Sequence, residues 1–346
     1  MAKNPKIPWL QKVSAHFCNV RDVDDLARLM DMEEYRLHLL ALKPQYNVFS
    51  IPKKNGEKRL IEDPDDDLQS AQSKLNYFLQ SVYYFIKTPA AYGFVTVAKN
   101  DPDPRNILTN AQRHLGSSYM FNADLKDFFH QVTFEKVCTL LKKPVFNLMD
   151  DAVEIISKIT TFKGRLPMGA PTSPVLSNFA TIDLDKKLLE LSQWANWTFT
   201  RYADDFTFSS PSPFSETDIA KIIQITASEG FEFNPKKFKT YAPQQQKIVT
   251  GLVLKENTVA LPDEFLPQLL KELDRLKGLT EAAHQAGRKE KWIQKYREQI
   301  EGKVAFAQFV LGDKSTVTHD LEQKLFDATH PPDDFGAMSW LDFGYL

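Results

Sequence analysis

With 346 residues, 42% of them hydrophobic and 25% charged, the chain has material for two or three packed units and the balance of a soluble globular protein. A net charge of −2 argues mildly against a generic polyanion binder, so any case for nucleic acid has to rest on local charge. No run approaches the roughly 20 apolar residues of a membrane span, and the N-terminal MAKNPKIPWLQK carries no apolar run of signal-peptide length. Cys18 and Cys138 lie far apart and in no metal-ligand spacing, so a reducing cytoplasm is the expected location.

In chain order, residues 21–42 read as short helices, and YNVFSIPKKNGEKRLIEDP reads as a hairpin around Asn55-Gly56. The hairpin tip is basic, with Lys53, Lys54, Lys58 and Arg59. A helix is predicted from Asp66 to about Phe85, led by Pro64 and an acidic first turn. Residues 101–116 begin Pro-rich and turn helical, and SSYMFNADLKDFF reads as a strand ending near Asp124. A helix is expected around 150–160. After the Gly/Pro loop FKGRLPMGAPTSP another is expected, from about Ser177 to Trp194. Two strands, TFTR and FTFS, flank Tyr202-Ala203-Asp204-Asp205, followed by a helix near 215–229 and strands in EFNPKKFKT and IVTGLVL. From Leu261 two long helical stripes follow, one through Phe265, Leu269, Leu273 and Leu276, the other through Trp292, Tyr296, Ile300 and Val304. Arg288, Lys289, Lys291, Lys295 and Arg297 make the second one basic. The end of the chain, HPPDDFGAMSWLDFGYL, is acidic and aromatic.

The adjacent acids Asp204 and Asp205 sit where two strands meet, the tip of a hairpin. A divalent cation would relieve their repulsion: Mg²⁺ takes carboxylate oxygens, keeps several waters and shares its shell with substrate phosphates. Asp124 ends another apolar strand. If the two strand ends lie side by side, three carboxylates converge on one sheet edge, an arrangement suited to two metal ions about 3.5–4 Å apart. Taken singly, a two-acid turn and a strand-end acid are common surface features.

YADD preceded by FTR, the upstream DLKDFF and the intervening LPMGAPTSPVLSN together resemble the core blocks of reverse transcriptases, in order and spacing, over roughly residues 50–315. Asn110-Ala111-Gln112-Arg113-His114 and Val249-Thr250-Gly251 further resemble the N-A-x-x-H and V-T-G blocks of retron reverse transcriptases. The resemblance implies an α+β right-hand polymerase fold, with fingers, a palm of antiparallel sheet plus helices, and a helical thumb. Residues 1–46 would be an N-terminal helical segment. The fingers would be 47–120 with 134–175, the palm 121–133 with 176–255, the thumb 256–315 and a tail 316–346.

By the same resemblance, Asp124 and Asp204 would be the principal ligands of two Mg²⁺ ions, with Asp205 the neighbouring acid. Phe129 would gate against a nucleotide 2′-hydroxyl, the atom that separates ribo- from deoxyribonucleotides. Arg59 and Lys53 would hold the triphosphate, Arg as a fork and Lys as a point charge. Gly169 would let backbone approach the nucleotide. Lys239 is a candidate proton donor to pyrophosphate, in competition with Lys236 and Lys237. Asn110 and His114, four apart and so on one helix face, are either a structural pair or readers of the template RNA. Val249, Thr250 and Gly251 would grip the primer, and the basic second helix would track RNA phosphates or simply be an exposed amphipathic helix. Two departures stand out: Met168 replaces the family's Gln in the P-Q-G block, and Tyr92-Gly93-Phe94 replaces His-Gly-Phe.

The expected activity is RNA-directed DNA synthesis from deoxynucleotides on a cognate structured non-coding RNA. Priming from a guanosine 2′-hydroxyl would give branched RNA–DNA, and an effector protein would be the partner in anti-phage defence. A group II intron-like or phage-exclusion reverse transcriptase is one rival, and an idle RNA-binding scaffold restraining an effector is another.

Overall fold

The computed structural model describes residues 5–52, 56–286 and 291–330. The chain forms two compact units, Met1–Thr250 and Gly251–Leu346.

The first unit opens with three helices, α1 (Ile7–Cys18), α2 (Val23–Leu29) and α3 (Glu34–Leu42), and a hairpin of β1 (Tyr46–Pro52) and β2 (Lys58–Pro64). The hairpin pairs antiparallel from Tyr46↔Pro64 to Pro52↔Lys58. Next come the long α4 (Asp66–Ile86), the short α5 (Ile107–Gln112) and β3 (Tyr119–Asp124). A 3₁₀ turn (Phe128–Gln131) leads to α6 (Phe134–Leu141), α7 (Asp150–Thr160), α8 (Ser173–Ala180) and α9 (Ile182–Trp194). The unit closes with β4 (Thr198–Tyr202), β5 (Asp205–Ser210), α10 (Glu216–Ser228), a 3₁₀ turn (Pro235–Lys237), β6 (Lys239–Tyr241) and β7 (Lys247–Val249). Side-chain caps start several of these helices: Asp22, Asp65, Asn106 and Ser215 each accept from a backbone N–H of the first turn.

The helix expected over 177–194 is two. Thr181, at the break, donates its hydroxyl to the carbonyls of Ser177 and Asn178, a local bond that competes with the helical ladder. EFNPKKFKT also departs from a continuous strand. Phe233 makes a single antiparallel bridge to Leu125, Pro235 then begins a 3₁₀ turn, and the strand proper is Lys239–Tyr241.

Four strands form an antiparallel sheet in the order β4-β5-β3-β6. Its core is aromatic: Phe199 stacks on Phe208 at 4.6 Å and on Phe206 at 5.6 Å, and Phe121 lies 6.1 Å from Phe208. Both faces of β4 and β5 are largely buried, although TFTRYADDFTFS alternates aromatic with polar residues. The polar face is covered too, by partners drawn from elsewhere in the chain.

The second unit holds a short hairpin, β8 (Leu252–Leu254) and β9 (Val259–Ala260), then α11 (Phe265–Gln285), α12 (Lys291–Leu311) and α13 (Thr316–Thr329). Leu269, Leu273 and Leu276 of α11 and Ile300 and Val304 of α12 are buried, as their spacing predicts. Leu321 and Ala328 of α13 are buried with them. The tail boundary expected at 316 is therefore corrected: α13 packs on both α11 and α12, and the helical unit runs to Thr329. Among the described residues no helix is long and apolar enough to cross a membrane.

Candidate active site

β3 and β5 pair so that Asp124 faces Asp205, and β4 and β5 pair so that Tyr202 faces Asp205. Two central residues, Ala203 and Asp204, therefore turn the β4–β5 hairpin. Ala203 takes φ +57, at a position where such turns usually use glycine. The carbonyl of Asp204 accepts from the Leu125 N–H at 3.0 Å, which stitches the turn to the end of β3. Three carboxylates from two strand ends thus meet at one sheet edge.

The crowding shows in their electrostatics. Desolvation, then the Asp204 and Asp124 charges and a hydrogen bond with Asp124, push the Asp205 carboxyl well above the usual carboxylate range. Asp204 is raised by desolvation and by Asp124, against the pull of its own backbone N–H, Lys237 and Arg59. Lys237 donates to Asp124 Oδ1 at 2.6 Å, and contact with Asp124 raises its pKa against a desolvation that lowers it. Of the three competing lysines it is Lys237, not Lys239, that reaches the acids. Lys239 is exposed on β6, opposite Asn122.

Among the described residues no group of three His, Cys, Asp or Glu stands ready-made to cage a metal ion. The donor set nevertheless fits a hard divalent cation. It consists only of carboxylate oxygens, it repels itself as it stands, and an ammonium already occupies one flank. Mg²⁺ is commonly held by one or two carboxylates plus water and substrate phosphate rather than by an all-protein cage.

The residues expected to meet a nucleotide lie on the β1–β2 hairpin, in the 3₁₀ turn after β3 and in the loop before α8. Arg59 lies on β2, near enough for its charge to lower the Asp204 pKa. Lys53 lies outside the described residues. Phe129, half-buried, has its ring 6.0 Å from Phe94 and 5.7 Å from Phe128. Gly169 takes φ +136, and a Cβ there would meet the Glu62 carbonyl oxygen at 2.9 Å. Its glycine is demanded by the hairpin, before any nucleotide is considered.

Sequence reasoning missed Glu62. Fully buried, it accepts from Arg165 through both oxygens at 2.9 and 3.0 Å, while its N–H donates to the Met168 carbonyl at 2.7 Å. Burial works against its charge, but the Arg165 guanidinium holds the carboxyl below its ordinary value. Met168 therefore contributes a backbone clasp to β2 in place of the polar side chain usual in the family. In sequence Glu62 is one of four charged residues in KRLIEDP, so no local signal singled it out.

A model of the family described as reverse transcriptase (RNA-dependent DNA polymerase) matches residues 51–255, which contain all three acids. The chain belongs to the reverse transcriptase family, on its retron branch. It is 34% identical over 239 residues to the retron Mx162 reverse transcriptase of Myxococcus xanthus, covering 60% of this chain and 47% of that protein. Against the retron Ec86 reverse transcriptase of Escherichia coli the identity is 30% over 250 residues, covering 71% and 74%. The retron Mx65 reverse transcriptase of Myxococcus xanthus is 30% identical over 282 residues, covering 77% and 61%. The chain thus spans about half the length of the Mx162 protein. The sheet that carries the acids is that of the right-hand polymerase fold implied by this reverse transcriptase membership.

The two retron-like blocks turn out to be joined. His114, fully buried, bonds Ser209 of β5 through Nδ1 and Thr200 of β4 through Nε2, each at 2.7 Å. Burial drives its pKa down to about 3, so it is neutral. Asn110 is buried on α5, its Oδ1 without a hydrogen-bond partner among the described residues. Direct reading of template RNA by this pair is therefore corrected to an internal role, since neither side chain reaches the surface. Thr250 donates to the Ile107 carbonyl at 3.2 Å, tying the V-T-G block to the same α5. Val249 is fully buried, and the neighbouring Ile248 carbonyl accepts from Asn122, two residues before Asp124. Gly251 takes φ +80, and a Cβ there would meet nothing within 4 Å, so open space adjoins it.

Proposed function

We propose that this chain is an RNA-directed DNA polymerase that copies part of a cognate structured non-coding RNA into single-stranded DNA. The observation that carries the reading is the meeting of Asp124, Asp204 and Asp205 at one edge of the sheet. We assign the fingers to 47–120 and 134–175, the palm to 121–133 and 176–255, and the thumb to the helices from 256, now extended to Thr329.

Asp124 and Asp204, with Asp205 beside them, would hold two Mg²⁺ ions. When bound, these activate the attacking hydroxyl and stabilise the leaving phosphate oxygen. Arg59, and Lys53 with it, orients the incoming triphosphate by charge, and Phe129 presents its ring to the sugar. Lys237, already against Asp124, is the lysine best situated to meet the pyrophosphate. Val249 and Thr250, in a segment bonded to α5 through Thr250 and to β3 through Ile248, would grip the primer. Lys291, Lys295 and Arg297 of α12 would track RNA phosphates.

Priming from a guanosine 2′-hydroxyl, an effector partner and a role in anti-phage defence follow from the retron resemblance and from no residue described above. A cytoplasmic setting suits two cysteines that are both free thiols.

Primer extension with Mg²⁺, deoxynucleotides and the RNA that co-purifies with the protein tests the reading. The expected product is a short DNA joined to that RNA, absent with the Asp204→Ala variant. Unchanged extension by Asp204→Ala would sink the assignment.

A further inference from the structure

Behind the Ala203-Asp204 turn lies a buried network that none of the polymerase roles above uses. Arg201, with no exposure at all, donates through Nε to Asp185 Oδ1 at 2.7 Å and through Nη2 to Asp185 Oδ2 at 2.8 Å. Its remaining nitrogen, Nη1, donates to the Asn178 side-chain oxygen and to the Ala203 carbonyl, both at 3.1 Å. Asn178 in turn donates to the Gly93 carbonyl at 2.9 Å. The chain around Gly93 is itself pinned to β4, since Arg201 N–H donates to Ala90 at 2.7 Å and Tyr92 N–H to the Arg201 carbonyl at 2.8 Å. A Cβ on Gly93 would lie 2.4 Å from the Ala203 nitrogen, so backbone presses on backbone there.

Ala203 is the residue held at φ +57, a conformation unfavourable for an ordinary L-residue that persists only where the surroundings over-determine it. Gly93 bounds it on one side, and Arg201 Nη1, the nitrogen outside the fork, holds its carbonyl on the other. That carbonyl belongs to the same planar peptide as the Asp204 N–H, so holding it fixes the plane from which Asp204 departs, while Asp205 follows in register on β5.

We infer that Arg201 and Asn178 are positioning residues: they lock the strained Ala203 peptide and so aim Asp204 and Asp205 at the divalent cations. A simpler buried pair would serve stability alone. The third bond is what separates the two, because the Arg201–Asp185 fork is complete without reaching the turn.

The inference rests on the polymerase reading, and the test separates the two. Mn²⁺ binding to the full-length protein is measured by electron paramagnetic resonance, beside the unfolding midpoint. The variants are Asp204→Ala, Arg201→Lys, Asn178→Ala and Thr88→Val. Lys in place of Arg201 keeps the charge opposite Asp185 but cannot span both it and the Ala203 carbonyl. Asn178→Ala leaves the ion pair whole, and decides the matter if Arg201→Lys does not fold. Thr88→Val removes only the 2.7 Å bond from Thr88 to Asp185 Oδ2, so it loosens the pair without touching the turn.

Arg201→Lys and Asn178→Ala should each weaken Mn²⁺ binding by about 10-fold or more, the usual effect of losing a group that orients metal ligands. Thr88→Val should lower the unfolding midpoint and bind Mn²⁺ as the wild type does. The inference is overturned if both turn variants keep wild-type Mn²⁺ affinity, or if Thr88→Val loses as much affinity as they do. If Asp204→Ala leaves Mn²⁺ binding unchanged, the polymerase site itself is misassigned and the inference falls with it.

Discussion

Two acid–base contacts flank the same turn, and they differ in almost everything but charge. Arg201–Asp185 is sealed from solvent on both sides, bidentate and further bonded to Thr88, Asn178 and Ala203. Lys237–Asp124 is a single contact between a lysine 54% exposed and an acid 14% exposed. In the first, desolvation makes each partner dependent on the other, so the pair behaves as a rigid part of the frame. In the second, water screens the charge and the lysine can leave at little cost. A polymerase site needs both: a frame that does not yield, and an acid whose present partner can be exchanged for substrate and cation.

The comparison is broken most directly from the buried side. Asp185→Ala leaves Arg201 charged and uncompensated in the interior, and should cost about 3–5 kcal/mol in denaturant unfolding. A loss below about 1 kcal/mol, the range of an exposed pair, would show that water reaches Arg201 and that the two contacts are alike.

His114 offers an intermediate case, a buried polar group kept neutral. Its folded pKa, about 3, lies below the ordinary value of about 6.5. Between those values the unfolded chain takes up a proton that the folded chain refuses, so stability falls as pH drops through that window. The slope attributable to this one group is at most about 1.4 kcal/mol per pH unit, and above pH of about 6.5 it contributes none. Unfolding midpoints of the wild type and His114→Gln across the acid range should converge toward the low end. Parallel curves would mean that His114 carries a proton in the fold.

The smallest effect belongs to the exposed side. Lys237→Gln should change stability by no more than about 1 kcal/mol, with the difference shrinking at high salt. A large, salt-independent loss in denaturant unfolding would place Lys237 in the frame with Arg201.

Much of this site is legible one residue at a time. The carboxylate pair between two β-prone runs, the strand ending at Asp124 and the Gly/Pro loop before α8 are local signals, and local signals determine which residues can stand at a strand end or turn. What they do not carry is partnership. Period 2 puts Arg201 on the same face of β4 as Phe199, opposite Phe206 of β5, so the alternation sends a charge toward the aromatic core and says nothing of what pairs with it. The buried charge is satisfied because α9 supplies Asp185 and α8 supplies Asn178, residues with no local mark of the role. His114 shows the same gap: its spacing from Asn110 left a structural pair and a reader of RNA both open, because spacing does not say which surface that face meets.

The sequence by itself determined the family, the placing of acids at a strand end and at a hairpin turn, and most of the element order, since each depends on short-range pattern and composition. It did not determine the break between α8 and α9 or the helix α13. Only the tertiary structure decided which charges are frame and which are exchangeable. It did so for Glu62 with Arg165, for Asp185 with Arg201, and for Lys237 over Lys239. The reason is physical: the worth of a charge depends on how much water it keeps, and that is settled by segments far apart in the chain closing over it.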